Sequence, residues 1–164
     1  MIVCEGLTKT FGSITAIQDF NIEIPNGRIF GLLGPNGAGK TTTMRMLSCL
    51  IRPTAGSAYI DSYEIGKKED AQKIRGMIGL LPEVPGLYET LGAYKNLDYY
   101  AQFYGIPKRH REESIKTTLT NLGLWDRRSE PVGGFSKGMK QKIAIARALT
   151  MIRNIFFLMS RPQV

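Results

Sequence analysis

The residues with the clearest chemistry form a glycine-rich run that ends in a lysine and two threonines: Gly34, Pro35, Asn36, Gly37, Ala38, Gly39, Lys40, Thr41 and Thr42. Glycines allow successive backbone N–H groups to point inward and form an anion-binding nest. In a loop of this spacing the lysine reaches the β- and γ-phosphates of a nucleoside triphosphate, and the Thr41 hydroxyl is the expected ligand of Mg²⁺. The run therefore predicts a phosphate-binding loop for a nucleoside triphosphate and its metal ion.

The segments on either side of this loop must position it. Residues 28–33 are a short apolar run typical of a β-strand, and residues 41–50 carry apolar side chains at helical spacing. A strand-to-helix turn directs the positive end of the helix dipole at the bound phosphates. A glycine-rich turn without a ligand is the alternative, and both flanks favour the phosphate-binding interpretation.

Length and composition are those of a single-domain soluble protein. The chain has 164 residues, 43% of them hydrophobic, and it lacks an apolar run of the roughly 18 residues that cross a bilayer. Cys4 and Cys49 lie in apolar segments without metal-ligand spacing, which predicts reduced core thiols in a cytoplasmic protein. The net charge of +8 suits a nucleotide, an anionic membrane face or a nucleic acid equally, so it selects no partner.

Further elements follow from periodicity. We expect antiparallel strands at 2–8 and 20–24, a strand at 57–60, a helix at 68–75 and a buried strand at 77–81 that Pro82 ends. Residues 90–128 change to amphipathic helices, which indicates a helical insert in an α/β core. A second glycine-rich peptide precedes a helix that runs to about Leu149, with Ser136 as its N-cap. Such a helix start suits an anion, although ordinary capping explains the same residues.

Taken in order, the phosphate-binding loop, the helical insert and the peptide of residues 135–149, FSKGMKQKIAIARAL, resemble the ATP-binding subunit of ABC transporters. The resemblance covers residues 1–149. It implies an α/β fold of the P-loop NTPase class, with a RecA-like core, an antiparallel β subdomain and a helical subdomain inserted at about residues 90–130. It also implies two copies that bind two ATP molecules with Mg²⁺, each between the loop of one copy and the signature peptide of the other.

The resemblance assigns roles to individual residues by position. Phe11 would stack on adenine, and a core residue of the hairpin is the alternative. Ser136, Lys137, Gly138 and Met139 would form the signature at the γ-phosphate. Lys137 stands in place of the family's first glycine and Met139 in place of its final glutamine.

The loop after the strand at 77–81 also receives a role. Glu83 stands where the family has glutamine and would meet Mg²⁺ or its water, at the cost of added negative charge beside the γ-phosphate. Residues 82–87 would face the membrane partner. His110 precedes the signature, so we expect a surface residue there and not the family's switch histidine.

The tail departs from the family pattern. After Leu149 the family continues through a His-Asp-Pro turn into a strand that ends in Asp-Glu, which order the magnesium shell and polarise the attacking water. Here that register holds Met159 and Ser160, so the Walker B acids and the later switch histidine are absent and no catalytic residue is assigned. We therefore expect no useful ATP hydrolysis by the chain as written.

The genetic code offers a reason for the tail. With codon boundaries moved back by one base, the bases of Met-Ile-Arg at 151–153 can read His-Asp-Pro. Those of Leu-Met-Ser-Arg-Pro-Gln-Val at 158–164 can read Leu-Asp-Glu-Pro-Thr-Ser-Gly. We interpret residues 150–164 as an aberrant, frameshifted tail after a single-base deletion near the codon of Leu149 or Thr150, either a real lesion or a sequencing error, with the C-terminal part of the fold missing. An unrelated natural tail is the alternative.

The leading hypothesis is the ATP-binding subunit of an ABC transporter, peripheral at the cytoplasmic face of the cell membrane. It would form a homo- or heterodimer of nucleotide-binding subunits and couple ATP binding and hydrolysis to transport through a membrane permease. The second interpretation is a catalytically inactive, truncated fragment that at most binds nucleotide. The third is a soluble ABC-type ATPase acting on nucleic acid or ribosomes. Because no basic stripe is interleaved with aromatic residues, no nucleic acid is expected as a partner.

Overall fold

The computed structural model describes residues 1–81, 84, 86–150 and 155–159 of the chain. These residues fall into two compact units, one within residues 1–78 and the other within residues 79–159. Pro82, Glu83 and Ser160, to which the sequence gives roles, lie outside the described residues.

A four-stranded antiparallel sheet is the base of the first unit. Its strands are β1 (Ile2–Phe11), β2 (Ile14–Ile24), β3 (Ala55–Ile60) and β4 (Tyr63–Glu64). They lie side by side in the order β2-β1-β3-β4. β1 and β2 form a tight hairpin in which Ile2 is opposite Ile24 and Phe11 is opposite Ile14. The antiparallel strands predicted at 2–8 and 20–24 are confirmed, and their pairing extends to the hairpin tip.

Two helices complete this unit. α1 (Lys40–Leu47) follows the glycine-rich loop, and α2 (Lys68–Met77) follows β4. Met46 of α1 and Ile74 of α2 are fully buried, as are Leu7 and Ile60 of the sheet. Both helices agree with the sequence prediction, but α1 ends at Leu47 because Cys49 adopts a left-handed backbone with φ of 53°.

Residues 28–33 differ from the predicted strand. They have no regular secondary structure, and the side chains of Ile29 and Leu33 are almost completely exposed. A strand persists where a neighbour takes up its backbone hydrogen bonds. Among the described residues, the strands of the four-stranded sheet do not pair with this segment. The strand prediction is therefore wrong, and an irregular, exposed segment leads into the loop.

The second unit contains a helical core and a small sheet. Its helices are α3 (Ala93–Phe103), α4 (Lys108–Asn121) and α5 (Lys137–Leu149), and its sheet pairs β5 (Ile78–Leu81) with β6 (Ile155–Leu158). The three helices share one apolar cluster, to which they contribute the fully buried Leu97, Ile115 and Ile143. This confirms the buried strand expected at 77–81 and the helices expected within 90–128.

Candidate functional site

The glycine-rich loop is fixed where it meets α1. Gly39 is the N-cap of α1 and has a left-handed backbone, with φ of 79°. A Cβ atom added there would lie 2.5 Å from the carbonyl oxygen of Ala16 and 2.6 Å from Cγ1 of Ile17, so β2 leaves room for glycine alone. Gly37 is also left-handed, with φ of 86°, but a Cβ there would meet open space. The loop thus packs its last glycine against the sheet and leaves Gly37 exposed.

Lys40 holds the loop together. Its ammonium Nζ donates to the carbonyl oxygens of Gly34 and Pro35, both at 2.6 Å. The amide of Ala38 donates to the Pro35 carbonyl at 3.2 Å, which closes a turn inside the same loop. The lysine charge is therefore held beside the loop backbone, a position that suits a phosphate-binding loop.

The first turn of α1 adds to the positive field. The first N–H groups of a helix have no acceptor within the helix, and this turn contains no acidic side chain to neutralise its dipole. The amide and the hydroxyl of Thr43 both bond to the Gly39 carbonyl, at 2.8 and 3.1 Å, and so fix the turn. Thr41 and Thr42 are half-buried at its start. The turn fits a phosphate, and the Thr41 hydroxyl supplies an oxygen of the kind that Mg²⁺ prefers.

Phe11 lies at the end of β1, beside the hairpin tip. Its ring is 48% exposed, which contradicts the alternative that it is a core residue of the hairpin. Lys9 is opposite Ile17, the residue against which Gly39 packs, so Phe11 lies about 7 Å further along β1 from the anchor of the loop. The Lys9 ammonium is 4.9 Å from the centre of the Phe11 ring. An exposed ring here fits stacking on adenine, which stays a prediction.

The signature peptide begins α5. The Ser136 hydroxyl accepts a hydrogen bond from the amide of Met139 at 3.3 Å, which confirms the predicted N-cap. Ser136, Lys137 and Gly138 are exposed, and the first turn of α5 has no acidic residue. Capping therefore explains Ser136 but gives no reason for the glycine two residues later.

Gly138 is not required by its described surroundings. Its backbone is not left-handed, and a Cβ atom added there would meet no described atom within 4 Å beyond the backbone of α5 itself. Glycine inside a helix costs about 1 kcal/mol relative to alanine. The exposed Gly138 therefore leaves the backbone at the start of α5 accessible to a group from outside these residues.

The Arg127 side chain contacts three side chains within and just before the signature peptide. Its guanidinium makes a bidentate pair with Glu130, at 2.6 and 3.1 Å, and this pairing lowers the pKa of the Glu130 carboxyl. The same guanidinium lies 4.9 Å from the centre of the Phe135 ring and donates to the Met139 sulfur at 3.4 Å. Sequence reasoning missed this cluster. The spacing of three residues between Arg127 and Glu130 is the sequence signal that points to it.

Side chains of α3 and α5 also fix residues 86–92. The Gly86 carbonyl accepts hydrogen bonds from the Tyr100 hydroxyl at 3.1 Å and from Arg147 at 3.3 Å. Asn96 is completely buried, accepts from the Tyr88 N–H at 2.8 Å and donates to backbone carbonyls just before α3. Sequence reasoning did not find these contacts, because a single polar residue in an amphipathic helix does not reveal its partners.

The tail position where the family has an acid holds a methionine. Met159 donates its backbone N–H to the Leu81 carbonyl at 3.0 Å, and a thioether is a poor ligand for Mg²⁺. No group of three or more histidine, cysteine or acidic side chains within the described residues is placed to hold a metal ion. Thr41 is the one predicted magnesium ligand to which the structure gives a position, since Glu83 lies outside the described residues.

Three predictions concern residues away from these peptides. Cys4 is buried and Cys49 is half-buried, and both are free thiols, as expected. Burial raises the pKa of Cys4 to about 11 and raises the pKa of Cys49. His110 is exposed in the first turn of α4, which confirms the surface position predicted for it. A search of the described helices finds none that combines the length and the apolar character needed to cross a membrane.

Comparison with known proteins shows the family to which the chain belongs. The family model described as ABC transporter matches residues 17–158. The bacitracin transport ATP-binding protein BcrA of Bacillus licheniformis is 44% identical over 145 residues, which are 87% of this chain and 45% of BcrA. The linearmycin resistance ATP-binding protein LnrL of Bacillus subtilis (strain 168) is 35% identical over 164 residues, which are 100% of this chain and 52% of LnrL. The chain spans about half the length of the curated relatives it matches.

A solved structure agrees with the sequence comparisons. A dimeric ATP-binding cassette in a post-hydrolysis state, bound to ADP and Pi, superposes with a TM-score of 0.83 and 27% identity, over 96% of this chain and 73% of the cassette. The family match includes both the phosphate-binding loop and the signature helix. The chain belongs to the ABC transporter family and has the fold of its P-loop ATP-binding domain.

Proposed function

We propose that this chain binds ATP with Mg²⁺ and is part of a subunit that couples ATP binding and hydrolysis to transport through a separate membrane permease. The observation that carries the proposal is the loop at the start of α1. There the Lys40 ammonium is held 2.6 Å from two loop carbonyls, beside a helix start without acidic residues. The relatives that share this region are named as ATP-binding proteins.

The proposed ATP site is shared between two copies, identical or related. One copy supplies Phe11 for the adenine and the loop from Gly34 to Thr42 for the phosphates. The other copy supplies its signature, whose open Gly138 backbone lets the γ-phosphate approach the amides at the start of α5. The exposed Lys137 adds a cation where the family has glycine, and this charge favours the triphosphate. The dimeric state of a solved cassette supports such a pair.

Magnesium would be held from the loop side. The Thr41 hydroxyl is the ligand next to the β- and γ-phosphates, and Glu83 would contact the ion or one of its waters. When bound, Mg²⁺ neutralises phosphate charge and orders the phosphate oxygens.

Hydrolysis is a property that we assign to the family and not to the chain as written. A thioether at position 159 neither orders the magnesium shell nor polarises water. We expect the purified chain to bind MgATP without releasing phosphate. Steady release of phosphate that Lys40→Ala abolishes would contradict this part of the proposal.

The altered reading frame is a separate proposal with its own test. DNA sequencing from the codon of Ala146 to well beyond that of Val164 shows whether one base has been lost. Recovery of a base, with a frame that continues Leu-Asp-Glu-Pro-Thr-Ser-Gly, would make the true product a complete ATPase. An unchanged sequence would identify a disabled gene product or an unrelated natural tail.

Nucleotide binding is tested by titrating MgATP into the purified chain in a calorimeter. Lys40→Ala removes the charge beside the phosphates and should weaken binding by about tenfold or more, which corresponds to 1.4 kcal/mol. Lys108→Ala removes an exposed lysine of α4 and should leave the affinity unchanged. Equal affinities of the two variants would contradict the proposed role of the loop.

The partner and the location are part of the same proposal. We expect the subunit at the cytoplasmic face of the membrane, attached to a permease that residues 82–87 would contact. Copurification from solubilised membranes should recover an integral membrane protein. Recovery of RNA, DNA or ribosomes in its place would support the alternative of a soluble ATPase that acts on nucleic acid.

A further inference from the structure

We propose that a cavity in the second unit binds a small organic anion, a phosphate or carboxylate group carried on a flat ring. The cavity has a volume of about 480 Å³ and is lined by residues from 90–95 and 125–129. Small-molecule sites measure roughly 300 to 1,000 Å³. The lining contains no residue of the phosphate-binding loop or of the signature, so this site is separate from the proposed ATP site.

The polar lining of the cavity is positive. Lys95 and Arg128 supply cations, Thr90 and Ser129 supply hydroxyl groups, and no lining residue is acidic. The Arg128 guanidinium lies 4.4 Å from the centre of the Trp125 ring and donates to the Trp125 carbonyl at 3.0 Å. An arginine held in this way loses little conformational entropy when it binds a phosphate or a carboxylate.

The apolar lining favours a ring. Trp125 and Tyr94 contact each other edge to face, with ring centres 6.4 Å apart and planes at 68°. Aromatic walls of this kind pack against the faces and edges of flat rings. The cations would bind the charged group while the rings hold its carrier, which is why a bare inorganic ion is a poorer fit.

The two lining segments are joined rigidly. Tyr94 donates its N–H to the Arg128 carbonyl at 2.9 Å, and Val132 donates to the Leu91 carbonyl at 3.0 Å. A Cβ atom at Gly92 would lie 2.8 Å from the Arg128 carbonyl, so this close approach requires glycine. The second segment continues directly to the signature. A ligand that contacts both segments therefore stabilises residues 125–129, which lead to the signature.

The fluorescence of Trp125 reports occupancy, since it is the only tryptophan of the chain. Phenyl phosphate and benzoate are titrated as ring-bearing anions, with phenol and inorganic phosphate as comparisons. We expect a saturable change with either ring-bearing anion at concentrations about tenfold below those at which phenol or inorganic phosphate acts. A response that does not saturate, or that phenol reproduces, would overturn the proposal.

Matched variants locate the site. Lys95→Gln should raise the phenyl phosphate concentration at the midpoint of the fluorescence titration by about tenfold. This is the effect of losing one charge-assisted contact. Lys116→Gln removes a cation that lies 5.9 Å from the Trp125 ring but does not line the cavity, and it should leave the midpoint unchanged. Equal shifts in the two variants would overturn the proposal. So would a response lost in Lys40→Ala, since it would place the anion in the phosphate-binding loop.

Discussion

At the scale of single residues, two glycines differ in what surrounds their backbone. Gly39 packs directly against β2, since a Cβ atom added at this position would lie 2.5 Å from the carbonyl oxygen of Ala16. Gly138 has open space around it and an ordinary backbone. The first glycine therefore serves the fold of the loop, whereas the second has no such structural reason and is proposed to admit a partner or ligand. The two cases lead to opposite expectations for stability.

Gly37→Ala and Gly39→Ala form a matched pair in the loop. Both positions are left-handed, which costs an alanine about 1–2 kcal/mol. Gly39→Ala also forces a clash with β2 and should lower the free energy of unfolding by about 1–3 kcal/mol more than Gly37→Ala does. Urea denaturation of the two variants measures the difference. Equal losses of unfolding free energy would show that an alanine at position 39 does not clash with β2.

Gly138→Ala should weaken the association of two copies without lowering the stability of the fold. The alanine favours the helix by about 1 kcal/mol, so the variant should be at least as stable as the parent chain. The added methyl group would obstruct the γ-phosphate and should weaken dimer formation driven by MgATP. Gln141→Ala, at an exposed position one turn later, is the control for helix propensity. A loss of stability in Gly138→Ala, or unchanged association, would contradict the role given to this glycine.

At the scale of elements, the parts predicted from sequence are those whose signals are local. The Ser136 cap and α5 after it follow from residue types at fixed spacing, and so does the hairpin of β1 and β2. The strand expected at 28–33 was wrong, because an apolar run does not specify the neighbour that a strand needs. The bonds of Lys40 to the loop carbonyls and those of Asn96 depend on tertiary contacts, which no local pattern contains.

At the same scale, replacing Asn96 tests whether α3 fixes residues 86–92. Asn96→Ala would leave the Tyr88 N–H and several carbonyls without their buried partner, and should lower the free energy of unfolding by about 3 kcal/mol. Asn121→Ala, at the exposed end of α4, should change it by less than about 0.5 kcal/mol. Denaturant titration compares the two. A small loss in Asn96→Ala would mean that water replaces the amide and that the segment is not fixed by α3.

At the scale of the whole molecule, the proposed function treats the loop and the signature as two half-sites in one chain. The loop contains Lys40, whose ammonium bonds to a loop carbonyl, and the signature contains a capped helix start with an open glycine. The chain spans about half the length of its curated relatives. The proposed association of two copies around ATP would join both half-sites, and it is the central claim of the proposed function.

A mixing experiment tests this claim directly, by sedimentation of K40A and G138E with MgATP. Each variant alone has a defect in both shared sites and should stay monomeric. In the mixed dimer one site combines the Lys40 of the G138E chain with the Gly138 of the K40A chain and is intact, so the mixture should associate and bind one ATP per dimer. The parent chain should dimerise with MgATP. Association of either variant alone, or a mixture that stays monomeric while the parent dimerises, would contradict a site shared between two copies.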